Sequence, residues 1–251
     1  MPDRRTVGRG ISRLPVPASV ERALDTALDK ALAVQRPVVL AYLARVRAKN
    51  PDAPPARVMV SLERAYLATV AGTGAASGGA AALPGVGTVA SLATGVAEVG
   101  AFVSATAMYV LAVAELHGVP VSDPEVRRAL VLAALVGDVG AGAIEATAGT
   151  AGASWAEILG RTTSRDRIKQ LNTHLLPMLV GRFGARQGAL LAGRALPLGI
   201  GAGVGAVGNV ALARGAIAAT HRMFGPAPAS LPARVIDARP GGRSLTRRRR
   251  T

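Results

Sequence analysis

Between Arg64 and Glu98 the chain runs for 33 residues without a formal charge, and that run is made mostly of Ala, Gly, Ser and Thr. A second charge-free stretch, residues 195–213, reads ALPLGIGAGVGAVGNVALA. Side chains this small let backbones approach closely, so both stretches are read as tightly packed or membrane-adapted helices. A spanning helix needs about 20 apolar residues, and both are long enough. In the second, Leu196, Leu198, Ile200, Val204, Val207, Val210 and Leu212 favour insertion by roughly 2 to 4 kcal/mol in total. Pro197, five glycines and Asn209 oppose them. With the sum near zero, a hairpin held by neighbouring helices is as well supported as a free span. Gly201 and Gly205 form one GxxxG pair and Gly199 and Gly203 another, which makes these four glycines the expected helix-packing positions.

Half of the residues are apolar, mean hydropathy is +0.33 and 18% are charged, against roughly 25% for an average soluble domain. The balance leans towards a membrane, although Ala, nearly neutral towards lipid, supplies much of the hydropathy. Thirty basic residues oppose fifteen acidic ones, for a net charge of +15, and Lys occurs only at 30, 49 and 169. Such a surplus suits anionic lipid, nucleic acid or an acidic protein. With no cysteine, disulfides and thiolate chemistry are excluded. The N-terminal MPDRRTVGRGISRLPVP is basic but lacks the apolar core of a signal peptide.

Periodicity gives helices throughout and no sustained strand alternation. Val20, Leu24, Ala27, Leu28, Ala31 and Leu32 recur at helical spacing. Pro37 breaks or restarts that helix, and a second over residues 38–49 ends at the turn-forming NPDAPP. A third begins near Ala56. Pro84-Gly85-Val86-Gly87 is a turn that divides the first charge-free run, Thr88 is the expected N-cap of a helix running to His117, and Gly118 stops it. Ser122-Asp123-Pro124-Glu125 offers two starts for the next helix, with either Ser122 or Asp123 as cap, and that helix reaches Val136. A further helix follows Ser164, residues 181–188 are expected to interrupt it, and the last follows Pro197. The fold class read from this pattern is all-α, a multi-helix bundle with small-residue-rich apolar hairpins, membrane-associated. Its divisions are a basic disordered tail over residues 1–17, amphipathic helices over 18–55, a helical domain over 56–225 and an Arg-rich disordered tail over 226–251.

Glu98, Glu115, Asp138 and Glu145 are embedded in apolar sequence, so each must pair, reach water or protonate. For Glu98 the expected partner is Arg127, Arg128 or Arg214 on a neighbouring helix, in a structural ion pair. His117, His174 and His221 are scattered and no ExxH or HExxH spacing occurs, so neither a metal nor a cofactor is expected. Gly203-Val204-Gly205-Ala206-Val207-Gly208 matches GxGxxG, but a preceding strand is missing and no acidic residue occurs between Asp166 and Asp237. GxSxG and the P-loop pattern are absent. No catalytic constellation emerges. The basic tails contain no aromatic residue, so a base-stacking platform is missing and nucleic acid is the weaker partner class. Arg247, Arg248, Arg249 and Arg250 are the expected contacts to anionic lipid, at about 1 kcal/mol each near the surface.

Three segments, Leu83-Pro84-Gly85-Val86-Gly87-Thr88, then Ala114-Glu115-Leu116-His117-Gly118 with Asp123-Pro124-Glu125-Val126-Arg127, then Leu196-Pro197-Leu198-Gly199-Ile200-Gly201 through Gly208-Asn209, resemble in order and spacing the EcsC protein family. The resemblance covers residues 56–224. It implies a bacterial, mainly helical, membrane-associated protein of a divergent, actinobacterial type, and the family's namesake is encoded beside an ABC transporter implicated in secretion. It supplies no catalytic set. The function expected from residues and resemblance together is a non-enzymatic membrane-associated helical protein, an adaptor or accessory to a membrane transport or secretion system. Its partners would be anionic membrane lipids and a second membrane protein or a second copy. It would sit at the cell membrane or its cytoplasmic face, with both basic termini cytoplasmic. The competing reading is a soluble Ala-rich bundle that binds nucleic acid through its arginine tails.

Overall fold

Alternating apolar and polar faces at a 3.6-residue period fold into packed helices. A computed structural model of the 251-residue chain describes residues 18–34, 36–81, 88–119, 121–140, 142, 165–194 and 200–238. Among these the structure is all-helical, with no strand. The helices are α1 (Ala18–Leu32), α2 (Arg36–Ala48), α3 (Pro55–Ala81), α4 (Thr88–Leu116), α5 (Pro124–Val136), α6 (Arg165–Arg194), α7 (Ile200–Phe224) and the short α8 (Ala233–Ile236).

Local chemistry sets several of these boundaries. Pro37 sits in the first turn of α2, where a missing N–H breaks no intrahelical bond. The Asp123 carboxylate accepts from the backbone N–H of Glu125 at 2.8 Å and of Val126 at 3.5 Å, and Pro124 opens α5, so of the two starts offered the Asp123 cap is the one used. Gly118 closes α4 with φ +79°, and the Val119 N–H returns to the Ala114 carbonyl. The expected interruption at residues 181–188 is not found: α6 continues to Arg194, because helical glycines cost only about 1 kcal/mol each. Pro177 lies inside the same helix on its exposed side. The turn at residues 84–87, the Gly/Ala/Thr-rich segment beyond 142 and Trp155 fall outside the described residues.

One apolar core joins all eight helices. Leu24 and Leu28 of α1 and Val39 and Leu43 of α2 are as deeply buried as Leu62, Val103, Leu111, Leu130, Leu175 and Met223. Residues 18–55 therefore share the core of residues 56–225, and each such Leu or Val contributes about 1.5 to 3 kcal/mol by leaving water. The expectation of a disordered tail from residue 226 is corrected for its first part. Residues 226–238 pack against the bundle, with Val235 fully buried and its carbonyl accepting from Arg47 Nη1 at 2.5 Å. Residues 1–17 and 239–251 lie outside the described residues.

Long-range contacts fix the direction of the helices. Glu63 near the start of α3 meets His221 near the end of α7, so these two run antiparallel. Glu98 and Asn209, each about ten residues into its helix, make α4 and α7 parallel. Asn172 bonds Glu125 and Arg182 bonds the Val136 carbonyl, which sets α6 beside α5 in the same direction. In consequence the end of α3, the start of α4, the end of α6 and the start of α7 lie at one end of the bundle, the far end. The opposite end, the near end, holds the α4–α5 loop, the start of α3, the end of α7 and α8.

Candidate functional site

The far end is defined by what its sequence lacks. The last part of α3 and the first part of α4 belong to the run between Arg64 and Glu98, and the first turns of α7 belong to the second charge-free stretch. Gly201, Gly203 and Gly205, the expected packing glycines, lie in those turns of α7, and Gly199 precedes the described residues. The GxGxxG match at residues 203–208 is therefore helix interior and not a phosphate-binding turn. On the sides of the bundle nearest this end, Val207 is 71% exposed and Gly72 is exposed with open space around it.

α4 carries the one described segment long and apolar enough to cross a bilayer, Ala97–Leu116, and 72% of it is buried within the bundle. It is a core helix whose apolar surface is satisfied by neighbours. Polar side chains line its contacts with α3 and α7. Glu98 accepts from the Asn209 amide at 2.7 Å, the Tyr66 and Thr106 hydroxyls meet at 2.8 Å, and Tyr66 stacks on Tyr109 at 4.8 Å. Burial raises both tyrosine pKa values well above the ordinary phenol range, with Glu63 and Tyr66 adding to the effect at Tyr109 and Thr106 lowering it slightly at Tyr66.

The expected ion pair of Glu98 with Arg127, Arg128 or Arg214 does not form among the described residues. Its carboxylate is taken by Asn209, and Arg127 instead donates to the Val34 carbonyl at 2.9 Å, closing the α1–α2 turn. Arg214 is exposed on α7. The buried ion cluster lies at the near end, around Glu115 in the last turn of α4. Glu115 is 0% exposed. Arg36 of α2 reaches it side-on, Nε to Oε1 at 2.5 Å and Nη2 to Oε2 at 3.1 Å, while Arg234 of α8 donates Nε to Oε2 at 2.7 Å. Sequence reasoning found that Glu115 needs a partner; it missed both arginines, which lie 79 and 119 residues away.

Chemically this cluster is closed. Both carboxylate oxygens accept from guanidinium donors and the side chain is fully buried, so Glu115 works as a tie between the two ends of the chain. Smaller ties join other helices. Asp138 pairs with Arg222 at 3.2 Å, Asp123 with Arg165 at 3.5 Å, and Asn172 donates to both the carbonyl and the carboxylate of Glu125. Among the described residues no three His, Cys, Asp or Glu side chains converge as a metal site would require. Arg247 to Arg250 and Glu145 lie outside them.

Compared with protein-family models, with curated proteins and with solved structures, the chain gives no match. The EcsC resemblance thus rests on the three quoted segments alone.

Proposed function

We propose that this chain is a non-enzymatic, membrane-associated helical protein that seats the end of its bundle where the two uncharged stretches meet in the head-group and upper acyl region of an anionic membrane. The single observation that carries the reading is the convergence of both uncharged stretches at one end, away from the Glu115 cluster. α4 is about 43 Å long at 1.5 Å per residue, so the two ends are separated by more than the thickness of a bilayer's hydrocarbon core.

The charge pattern argues for shallow seating. The α3–α4 connection is free of charge, but α6 ends on Arg194 directly before the second connection. An insertion of about 5–10 Å leaves that guanidinium at the level of lipid phosphates, whereas a full span would carry it into hydrocarbon at a cost of about 2.5–3.5 kcal/mol. The basic ends favour the cytoplasmic face of the cell membrane, and the EcsC resemblance favours an accessory or adaptor role beside a transport or secretion system, with a membrane protein or a second copy as partner.

Flotation with vesicles tests the reading. The full chain should rise with vesicles containing phosphatidylglycerol, and Leu83→Asp with Val86→Asp should reduce the bound fraction at least tenfold while circular dichroism stays unchanged. Wild-type protein that stays at the bottom of the gradient with every vesicle overturns it.

A further inference from the structure

His117 follows the last residue of α4, and both of its ring nitrogens face backbone carbonyls. Nδ1 lies 2.9 Å from the Val113 oxygen and Nε2 lies 3.1 Å from the Pro226 oxygen. A carbonyl can only accept. A neutral imidazole has one N–H, so either tautomer leaves a ring lone pair opposed to a carbonyl lone pair, and only the imidazolium donates to both. Two further features suit a cation here: the position at the C-terminus of a 29-residue helix, and the Phe224 ring tilted 33° against the imidazole with centroids 5.3 Å apart.

The two carbonyls belong to different parts of the molecule. Val113 is core helix, whereas Pro226 opens the strap of residues 226–238 that ends the described chain. That strap is otherwise fastened by Arg234 to Glu115 and by the Val235 carbonyl to Arg47. We propose that protonation of His117 latches this strap to the near end of the bundle, tightening it in acid and loosening it as the ring becomes neutral. The Arg-rich residues 239–251 follow the strap directly in sequence, so the latch governs how firmly their attachment point is held.

The charged groups on the surrounding elements are otherwise engaged. On α4, Glu115 is occupied by Arg36 of α2 and Arg234 of the strap. On α7, His221 pairs with Glu63 of α3 and Arg222 with Asp138. In the α4–α5 loop Asp123 caps α5 and pairs with Arg165. Asp237 of the strap is exposed. None of them contacts the imidazole among the described residues, so the ring's own proton is what changes the contact.

The native chain has no cysteine, so a single spin label can be attached at Ile236→Cys, a position 56% exposed in the docked strap. Electron paramagnetic resonance of the full chain should show the ratio of immobile to mobile label falling about fivefold from about pH 5 to pH 8, the loss expected for one hydrogen bond. In His117→Ala the ratio should be low and independent of pH. Because that variant could unfold, the wild-type imidazole is also read directly: long-range proton–nitrogen spectra at pH 5 should report protons on both His117 nitrogens. A label ratio that does not change with pH, an unaltered pH response in a folded His117→Ala chain, or a neutral single tautomer at pH 5 would each overturn the latch.

Discussion

Arg234 Nε lies 2.7 Å from Glu115 Oε2 although 119 residues separate them, and the same carboxylate takes Arg36 on its other side. A buried carboxylate between two guanidinium groups stabilises the fold only while all members are present, since removing the anion leaves two cations partly desolvated. Glu115→Gln is therefore expected to lower stability by about 3 kcal/mol. Arg234→Ala should cost less, about 1–2 kcal/mol, because a third of its side chain is already in water and Arg36 remains. Urea unfolding monitored by circular dichroism measures both, and equal losses would show that the two arginines are not redundant.

The strap can be separated from the tail that follows it. Truncation after residue 238 removes nothing that packs in the described structure and should leave the melting temperature unchanged. Truncation after Gly225 exposes the surface covered by Val235 and deprives Glu115 of Arg234, and the melting temperature should fall by several degrees. Thermal melts of the two truncations, compared with the full chain, distinguish a packed strap from a passive extension.

Two glycines should respond in opposite directions to alanine. Gly137 has φ +79° and ψ −144°, a region open to glycine alone, and a Cβ there would stand 2.5 Å from Arg182 Nη1. Gly137→Ala should cost about 1–3 kcal/mol. Gly72 is helical, exposed and free of neighbours within 4 Å, so Gly72→Ala should stabilise by about 0.5–1 kcal/mol through the unfolded chain. Denaturant midpoints give both signs in one experiment.

Burial raises the pKa of Tyr66 and Tyr109 in the folded protein above the value of about 10 that an unfolded chain shows. The folded state then holds these protons more tightly than the unfolded one. Their contribution is fully present below pH 10 and is lost as pH rises through the folded values. Unfolding free energy should accordingly decline above about pH 10, and Tyr109→Phe should flatten that decline, as denaturation series at pH 8 and pH 11 would show.

Local chemistry was readable from sequence where the determinant is itself local. The Asp123-Pro124 start of α5, the Gly118 end of α4 and the apolar period of α1 all depend on residues within a turn or two of one another, and each appears where expected. Glu98 and Glu115 show where such reasoning ends. Their apolar surroundings announced that each needs a polar partner, but the choice of Asn209 for one and of Arg36 with Arg234 for the other is made by helix packing between segments far apart in sequence. The strap misled for a related reason. Residues 226–238 are rich in Pro and Ala and lack helical period, so nothing in their own pattern marks Val235 as core; the surface that buries it belongs to the rest of the bundle. In the Gly-rich part of α6 the local pattern reads as a break, yet the long helix runs through it, since each helical glycine costs only about 1 kcal/mol.

Depth-dependent quenching tests the seating of the far end most directly. An environment-sensitive fluorophore is placed singly at Val86→Cys, between α3 and α4 in sequence, or at Ile236→Cys in the strap, and the labelled chains are mixed with phosphatidylglycerol vesicles carrying nitroxides at known depths. The probe at position 86 should shift to the blue and be quenched most strongly by nitroxides within about 10 Å of the head groups, while the probe at 236 stays in a water-like environment. Equal, water-like emission from both positions on vesicles that bind the protein, or quenching of the 236 probe alone, would contradict it.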